Sequence, residues 1–232
     1  MSYYDNANMT IVDLVADGSH RILEIGCGAG ATARAIRARN SDVYYVGVDI
    51  AQEPLHRASD VLDVALCRDI DAVADWDLDS EISAALPIAS FDYVICGDVL
   101  EHLYAPEAVV AQLCARLRSG GKLIACMPNV QHWSVFVQLV KGSWPRADSG
   151  IFDRTHVRWF ARSDMEKLLS EAGLEIEQCV SRIFAEAEGR EVIEFLEPLA
   201  IQFGVDADEL MDRALPLQYV FPLAKSDTSG TR

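Results

Sequence analysis

Positive charge is what this chain is short of. Its 232 residues carry 20 lysines and arginines against 36 aspartates and glutamates, a formal net charge of −16. Binding a phosphate backbone needs a basic surface, so nucleic acid is excluded as the expected partner. Anionic membranes are disfavoured on the same ground. No run of five or more basic residues exists. No apolar stretch approaches the roughly 18–20 residues that cross a bilayer, so no membrane span is expected. The opening Met-Ser-Tyr-Tyr-Asp-Asn lacks the basic start and apolar core of a signal peptide. None of the six cysteines (Cys27, Cys67, Cys96, Cys114, Cys126, Cys179) forms C-x-x-C, and no zinc spacing occurs. Cys67, Cys96, Cys126 and Cys179 fall in or beside apolar runs, where cysteine is a small core residue. These absences predict a reduced, cytoplasmic protein with no metal site.

Apolar residues, by contrast, make up half of the chain, enough for a full core. The informative stretch is Ile22-Leu-Glu24-Ile-Gly26-Cys27-Gly28-Ala29-Gly30, a β-prone run that ends in a glycine turn. The helix-prone Thr32–Arg39 follows at once. Strand, glycine turn and helix present backbone N–H groups to a ligand. A second β-like run, Val43–Val48, ends in Asp49, nineteen residues after Gly30. A carboxylate there is placed to accept hydrogen bonds from ribose hydroxyls. Gly26, Gly28 and Ala31 also satisfy the dinucleotide pattern G-x-G-x-x-G/A. Glu24 argues against a dinucleotide, because it would repel a pyrophosphate, whereas a ligand with an ammonium suits it.

Further runs alternate along the chain. Met9–Val15 predicts a helix, Arg21–Ile25 and Leu62–Cys67 predict strands, and 71–90 predicts loop with a short helix. Phe91–Cys96 and Lys122–Met127 predict strands around a helix over Pro106–Leu117, with Gly120-Gly121 as a turn. Residues 130–160 are aromatic and break the rhythm, which predicts a substrate cap. Ser163 and Glu166 match a capping box. A strand over Leu174–Ile183 and two acidic helices, within an insertion at 188–214, come before a final strand, Pro216–Ala224. Its prolines predict poor pairing at its ends. A single domain spans 1–224, and 225–232 is expected to be a disordered tail.

The E-x-G-x-G-x-G pattern at Glu24–Gly30 resembles the first motif of class I S-adenosylmethionine-dependent methyltransferases. Asp98-Val-Leu-Glu101-His102-Leu is similar to a segment of small-molecule methyltransferases, including those of quinone biosynthesis. Ile151–Phe160 resembles a D-R-T-H-x-R-x-F signature found in methyltransferases of glycan and natural-product pathways. Tyr3-Tyr4-x-x-x-Asn8 looks like a Y-Y-x-x-x-R opening, with Asn8 where arginine is common. The resemblance implies an α/β fold: a Rossmann-like seven-stranded methyltransferase sheet, six strands parallel and one antiparallel, with helices on both faces and a helical, aromatic cap.

The cofactor so implied is S-adenosyl-L-methionine. It would be bound by Tyr4, Glu24, Gly26, Cys27, Gly28, Asp49, Ile50, Asp69, Ile70, Gly97, Asp98, Val99 and His102. The acceptor is a small molecule or glycan precursor, methylated at oxygen and contacted by His132, Trp133, Asp153, Arg154 and His156. His156 and His102 are the candidate catalytic bases, with His156 preferred and a nearby carboxylate orienting its ring. Other readings stay open. His102 can be a structural histidine, Asp69 a loop acid, and Asp153, Arg154 and Arg158 a buried salt-bridge cluster holding the cap. Glu101 reads as a surface or helix-start acid. N- or C-methylation, a nicotinamide dehydrogenase and a non-catalytic partner protein are the rival functions, and a homodimer is left open.

Overall fold

A computed structural model describes residues 6–71 and 91–225. The expectations placed on Tyr4, on the acidic stretch 72–90 and on the tail 226–232 fall outside the described residues. Helix α1 (Met9–Leu14) leads into β1 (His20–Ile25), the glycine turn, α2 (Ala31–Arg39), β2 (Val43–Asp49), α3 (Gln52–Arg57) and β3 (Val64–Cys67). Strand β4 (Phe91–Gly97) enters a 3-10 turn at Leu100–His102, followed by α4 (Pro106–Arg116) and β5 (Leu117–Pro128). The rest is α5 (Trp133–Val140), α6 (Arg162–Glu171), β6 (Leu174–Ile176), β7 (Val180–Ile183), α7 (Glu186–Gln202), α8 (Ala207–Ala214) and β8 (Pro216–Lys225).

The strands form one sheet in the order β3-β2-β1-β4-β5-β8-β6, and β7 also pairs with β8. Strands β1 to β5 pair in parallel, and β8 runs antiparallel to β5, β6 and β7. Strand β1 lies between β2 and β4, so the connections leave it in opposite directions. Ligands bind outside the carboxyl ends of the strands at such a switch point. Continuous apolar runs make this possible, because a parallel sheet is buried on both faces. Leu23, Ile25, Val94, Ala125 and Met127 pack with Val109, Leu113, Met165 and Leu169 of α4 and α6. Ile22, Ile95, Ile124 and Cys126 pack with Ile11, Val12, Ala33 and Ile36 of α1 and α2. Each fully buried side chain of this size contributes about 1.5–3 kcal/mol.

The fold departs from the expected pattern in four places. It has eight strands among the described residues, because the strand expected over Leu174–Ile183 is cut in two. Ile176 pairs with Leu223 and Val180 with Val220, four steps against three, so one extra residue bulges between β6 and β7. The expected turn at Arg118–Gly121 is instead a wide bulge inside β5, between the Phe91–Leu117 and Tyr93–Lys122 pairs. Strand β8 is paired along its whole length despite its prolines. Pro216 is its first residue, where no donor is needed, and the Pro222 carbonyl accepts the Glu177 N–H at 3.0 Å. Finally, Ser163 does not cap α6: Ala161 holds the N-cap position, and its N–H donates to Asp164 at 3.0 Å.

The cap expected at 130–160 contains one helix, α5, followed by irregular chain. Trp144 stands edge-on to Phe152 and Trp159, with centroids at 5.1 and 5.5 Å. Helices α7 and α8, which the resemblance does not match, cover α5. Ile193, Leu210, Ala214 and Leu215 form a small separate core with Trp133 and Phe136. Gly189 makes room for it, since a Cβ there would lie 2.7 Å from the Trp133 indole nitrogen.

Candidate active site

The first half of the site is backbone. Gly26 and Gly28 adopt φ of 71° and 52°, the left-handed region that side chains avoid. A Cβ on Gly26 would meet Val99 Cγ2 at 2.4 Å, so the turn lies directly against the residues that follow β4. The Gly26 N–H donates to the Val48 carbonyl at 2.8 Å. Asp49 sits buried at the end of β2, accepting from the Gly28 N–H at 2.7 Å and the Ala51 N–H at 2.8 Å. One carboxylate thus fixes both the glycine turn and the start of α3. Each oxygen keeps a second lone pair for a ligand hydroxyl. Below the turn, Glu24 is buried and accepts from the Tyr45 hydroxyl at 2.8 Å. Burial pushes its carboxyl up to about 7, against the Tyr45 and Thr32 hydrogen bonds. The Cys27 side chain packs over Gly47, and burial raises its thiol well above the usual range, so only its backbone is available to a ligand.

Ile50 is 68% exposed, an unpacked apolar side chain directly after Asp49. Asp69 is exposed and accepts from the Asp71 N–H at 3.0 Å, the geometry of a loop acid with one oxygen engaged. Ile70 instead joins the core. Asp71 ties this loop to the residues after His102 by accepting from the Tyr104 and Ala105 N–H groups.

Asp98 follows Gly97 with φ of 55°, an uncommon conformation for a residue with a side chain. Its Oδ1 accepts from Gln218 Nε2 at 2.5 Å and from the Cys126 thiol at 3.6 Å. Burial pushes its carboxyl up to about 6, with Arg182 opposing the shift.

The second half of the site is made of side chains. Glu101, expected at the surface, is 1% exposed at the centre of a cluster with His102 and His156. Its carbonyl accepts the N–H groups of Val157 and Arg158 at 3.0 Å, which docks the cap segment on the 3-10 turn. His156 Nδ1 lies 3.1 Å from the Ile151 carbonyl. A carbonyl only accepts, so Nδ1 carries the proton and Nε2 a lone pair, 3.8 Å from Glu101 Oε1. Asp153 accepts from Thr155 Oγ1 at 2.6 Å. That hydroxyl has given its proton to Asp153, so it accepts from His102 Nδ1 at 3.1 Å. Nε2 of His102 is therefore its lone-pair nitrogen too. Burial lowers both imidazoles, His156 also through His102, and pushes the Glu101 carboxyl up, a shift that Asp98 reinforces. The lowered imidazoles favour their neutral forms, and burial favours the protonated form of the Glu101 carboxyl. Its Oε2 is buried without a hydrogen-bond partner. The three side chains bring donor atoms within 4.8 Å of one another, a carboxylate and two imidazoles, as small-cation sites do.

The cap itself engages several of the residues expected at the acceptor, while His132 Nε2 and Trp133 Nε1 are buried without a hydrogen-bond partner. His132 caps α5 through Ser134, and burial pushes its imidazole down to about 4. Trp133 packs under α7. Arg154 is exposed and pairs with Asp148, while Arg158 donates to the Tyr104 carbonyl. No buried salt-bridge cluster of Asp153, Arg154 and Arg158 exists among the described residues. Asp153 orients His102 through Thr155, whereas the ring of His156 is oriented by a carbonyl.

The methyltransferase-domain family matches residues 4–179 of this chain. The chain belongs to that family. The ubiquinone biosynthesis O-methyltransferase of Idiomarina loihiensis is 30% identical over 161 residues, covering 67% of this chain and 61% of the relative. The chain thus spans about three-fifths of that curated relative's length. An S-adenosylmethionine-dependent methyltransferase from Mesorhizobium loti superposes with TM-score 0.61 at 18% identity, covering 96% of this chain and 100% of that one. The cyclase SpnF superposes with TM-score 0.58 at 16% identity, covering 94% of this chain and 80% of that one. These likenesses show the methyltransferase fold, and the cyclase among them shows that the fold alone does not fix a reaction. The sequence assigned no site role to Glu101 and Thr155 in this candidate site of a methyltransferase-family chain, nor to Gln218 and Arg182, which are linked to Asp98. The last two are brought in by sheet pairing at its far edge.

Proposed function

We propose that the chain is an S-adenosylmethionine-dependent methyltransferase acting on a hydroxyl of a small molecule. The observation that carries this is the junction of the two halves. The Gly26–Gly28 turn touches Val99, and three residues later the lone pair of His102 is held ready by Thr155 and Asp153. The turn and carboxylate fit the cofactor: the glycines leave a floor without Cβ atoms, and Asp49 faces it with two oxygens. Glu24 beneath the turn disfavours the pyrophosphate of a nicotinamide dinucleotide. When bound, the cofactor supplies a methyl group on a sulfonium.

The residues of the chain do the rest. Asp49 holds the ribose, Ile50 covers the adenine and the Gly97 carbonyl meets the ammonium. Neutral His102 accepts the proton of the acceptor hydroxyl at Nε2, with His156 as a second base beside it. Much of the acceleration in such a displacement comes from alignment, and base catalysis typically adds 10²–10⁴-fold. The acceptor extends to glycan precursors only on the strength of the Ile151–Phe160 signature. A homodimer has one support, the exposed stripe Phe195, Leu199 and Phe203 at i, i+4, i+8 along and just past α7. Sedimentation at the monomer mass of 25.6 kDa alone would remove it.

A labelled-methyl screen over phenols, catechols, sugars and amines tests the function. Transfer to a hydroxyl is the expected outcome. Transfer to amines only, or none from a chain that binds S-adenosylhomocysteine, overturns the oxygen assignment or the activity respectively.

A further inference from the structure

A net-negative chain that binds a zwitterion needs a cation for its carboxylate, and Asn8 stands where the resemblance leads one to expect that charge. Asn8 is taken up elsewhere. Its Oδ1 caps α1 through the Thr10 N–H at 3.2 Å, and its Nδ2 donates to Cys126 Sγ at 3.5 Å. The same thiol donates to Asp98 Oδ1 at 3.6 Å, and Asp98 accepts from Gln218 at 2.5 Å. The Gln218 carbonyl in turn accepts from Arg182 of β7. Asn8, Cys126, Asp98, Gln218 and Arg182 therefore form one polar chain at the carboxyl ends of β4 and β5. Gln218 pairs with Pro128, the last residue of β5, and Arg182 pairs with Gln218.

Arg182 is half-buried, stacks over Phe184 at 5.2 Å and makes no ion pair among the described residues. Its guanidinium is held at one nitrogen by a neutral amide, and its charge is felt by Asp98 without a direct ion pair. Guanidinium is also the side chain built for a carboxylate, through parallel N–H donors.

We propose that Arg182, held by Gln218, binds the carboxylate of the cofactor's methionyl group, while Asp98 faces its ammonium. This rests on the S-adenosylmethionine reading of the glycine turn. The pair offers opposite charges to opposite charges beside Gly97, and it enters from the far edge of the sheet instead of the N-terminal segment. Burial, by keeping Asp98 near the neutral range at about 6, makes its charge responsive to an arriving ammonium.

Calorimetry with two ligands tests it: S-adenosylhomocysteine and its decarboxylated analogue, which keeps the ammonium. Charge-assisted hydrogen bonds of this kind predict that Arg182→Gln weakens S-adenosylhomocysteine about tenfold to a hundredfold. Affinity for the decarboxylated analogue should stay unchanged. Arg182→Lys, which keeps the charge, should retain part of the preference for the carboxylate and serves if the glutamine variant does not fold. Equal weakening of both ligands would mean a structural role and overturns the proposal, as does unchanged affinity for both. A parent chain that binds neither ligand fails at the cofactor reading itself, a result distinct from either.

Discussion

The glycine turn proposed for the cofactor and the histidine wall proposed for the acceptor lie side by side at the carboxyl ends of the central strands, yet they are built from different material. The turn is main chain: Gly26, Gly28 and the Val48 carbonyl, with Asp49 as its clasp. The wall is side chain: Glu101 and His102 from one segment, Asp153, Thr155 and His156 from another. A main-chain site tolerates almost any neighbour but no added Cβ. A side-chain site tolerates backbone adjustment but depends on which atom holds each proton.

The sharpest way to break this contrast is Gly28→Val. A β-branched residue at φ of 52° is strained, and its bulk fills the cofactor floor. Protection by S-adenosylhomocysteine against thermal unfolding should disappear. A melting temperature that still rises with ligand as in the parent would place the ligand elsewhere.

On the other side of the comparison, His102→Ala should lower turnover by about 10²–10⁴-fold for a hydroxyl acceptor. The parent's rate should fall on acidification, as Nε2 takes a proton. Burial favours the neutral ring, so this limb should lie below the usual imidazole value of about 6.5. The limb should be absent in His102→Ala. If it moves to His156→Ala instead, the two bases exchange roles.

The smallest effect concerns Glu24, where both kinds of construction meet. The folded chain keeps a proton on Glu24 up to about 7, whereas an exposed carboxyl loses it near 4.5. Below about 4.5 burial of the neutral acid is undisturbed, and the resulting stability is lost as pH rises toward 7. Glu24→Gln should therefore melt higher than the parent at pH 8, by a few degrees, with a gap that closes at pH 4. The same variant should bind S-adenosylhomocysteine more weakly. Identical melting curves at both pH values would show that the carboxyl is not desolvated.

How much of this was legible follows the same division. Glu24, Gly26, Gly28 and Asp49 are recognisable because a main-chain site is written in consecutive residues at a fixed spacing. Asp98, Val99 and His102 are visible for that reason too. Glu101 was misplaced because a charged residue opening a short turn reads as solvated, and only the docking of Val157 and Arg158 on its carbonyl buries it. His132 and Trp133 were expected at the acceptor because they are aromatic and close to a strand end. The seat of Trp133 under α7 depends on Gly189, a residue with no local signature of that role, and His132 caps α5 through Ser134. Asp153 was seen as a candidate, but its partner Thr155 and the imidazole they steer became clear only with the fold.

The single extra residue between β6 and β7 has a bearing on how this chain can vary. Strand side chains alternate between faces, so continuing the β6 register unbroken would set Arg182 opposite Leu217, on the reverse side of the sheet. The bulge shifts the count by one and sets it opposite Gln218. The segment 177–179 thus sets parity by its length: adding or removing one residue there would turn Arg182 to the other face, whereas replacing the Glu177 side chain would cost only its surface ion pair with Lys122.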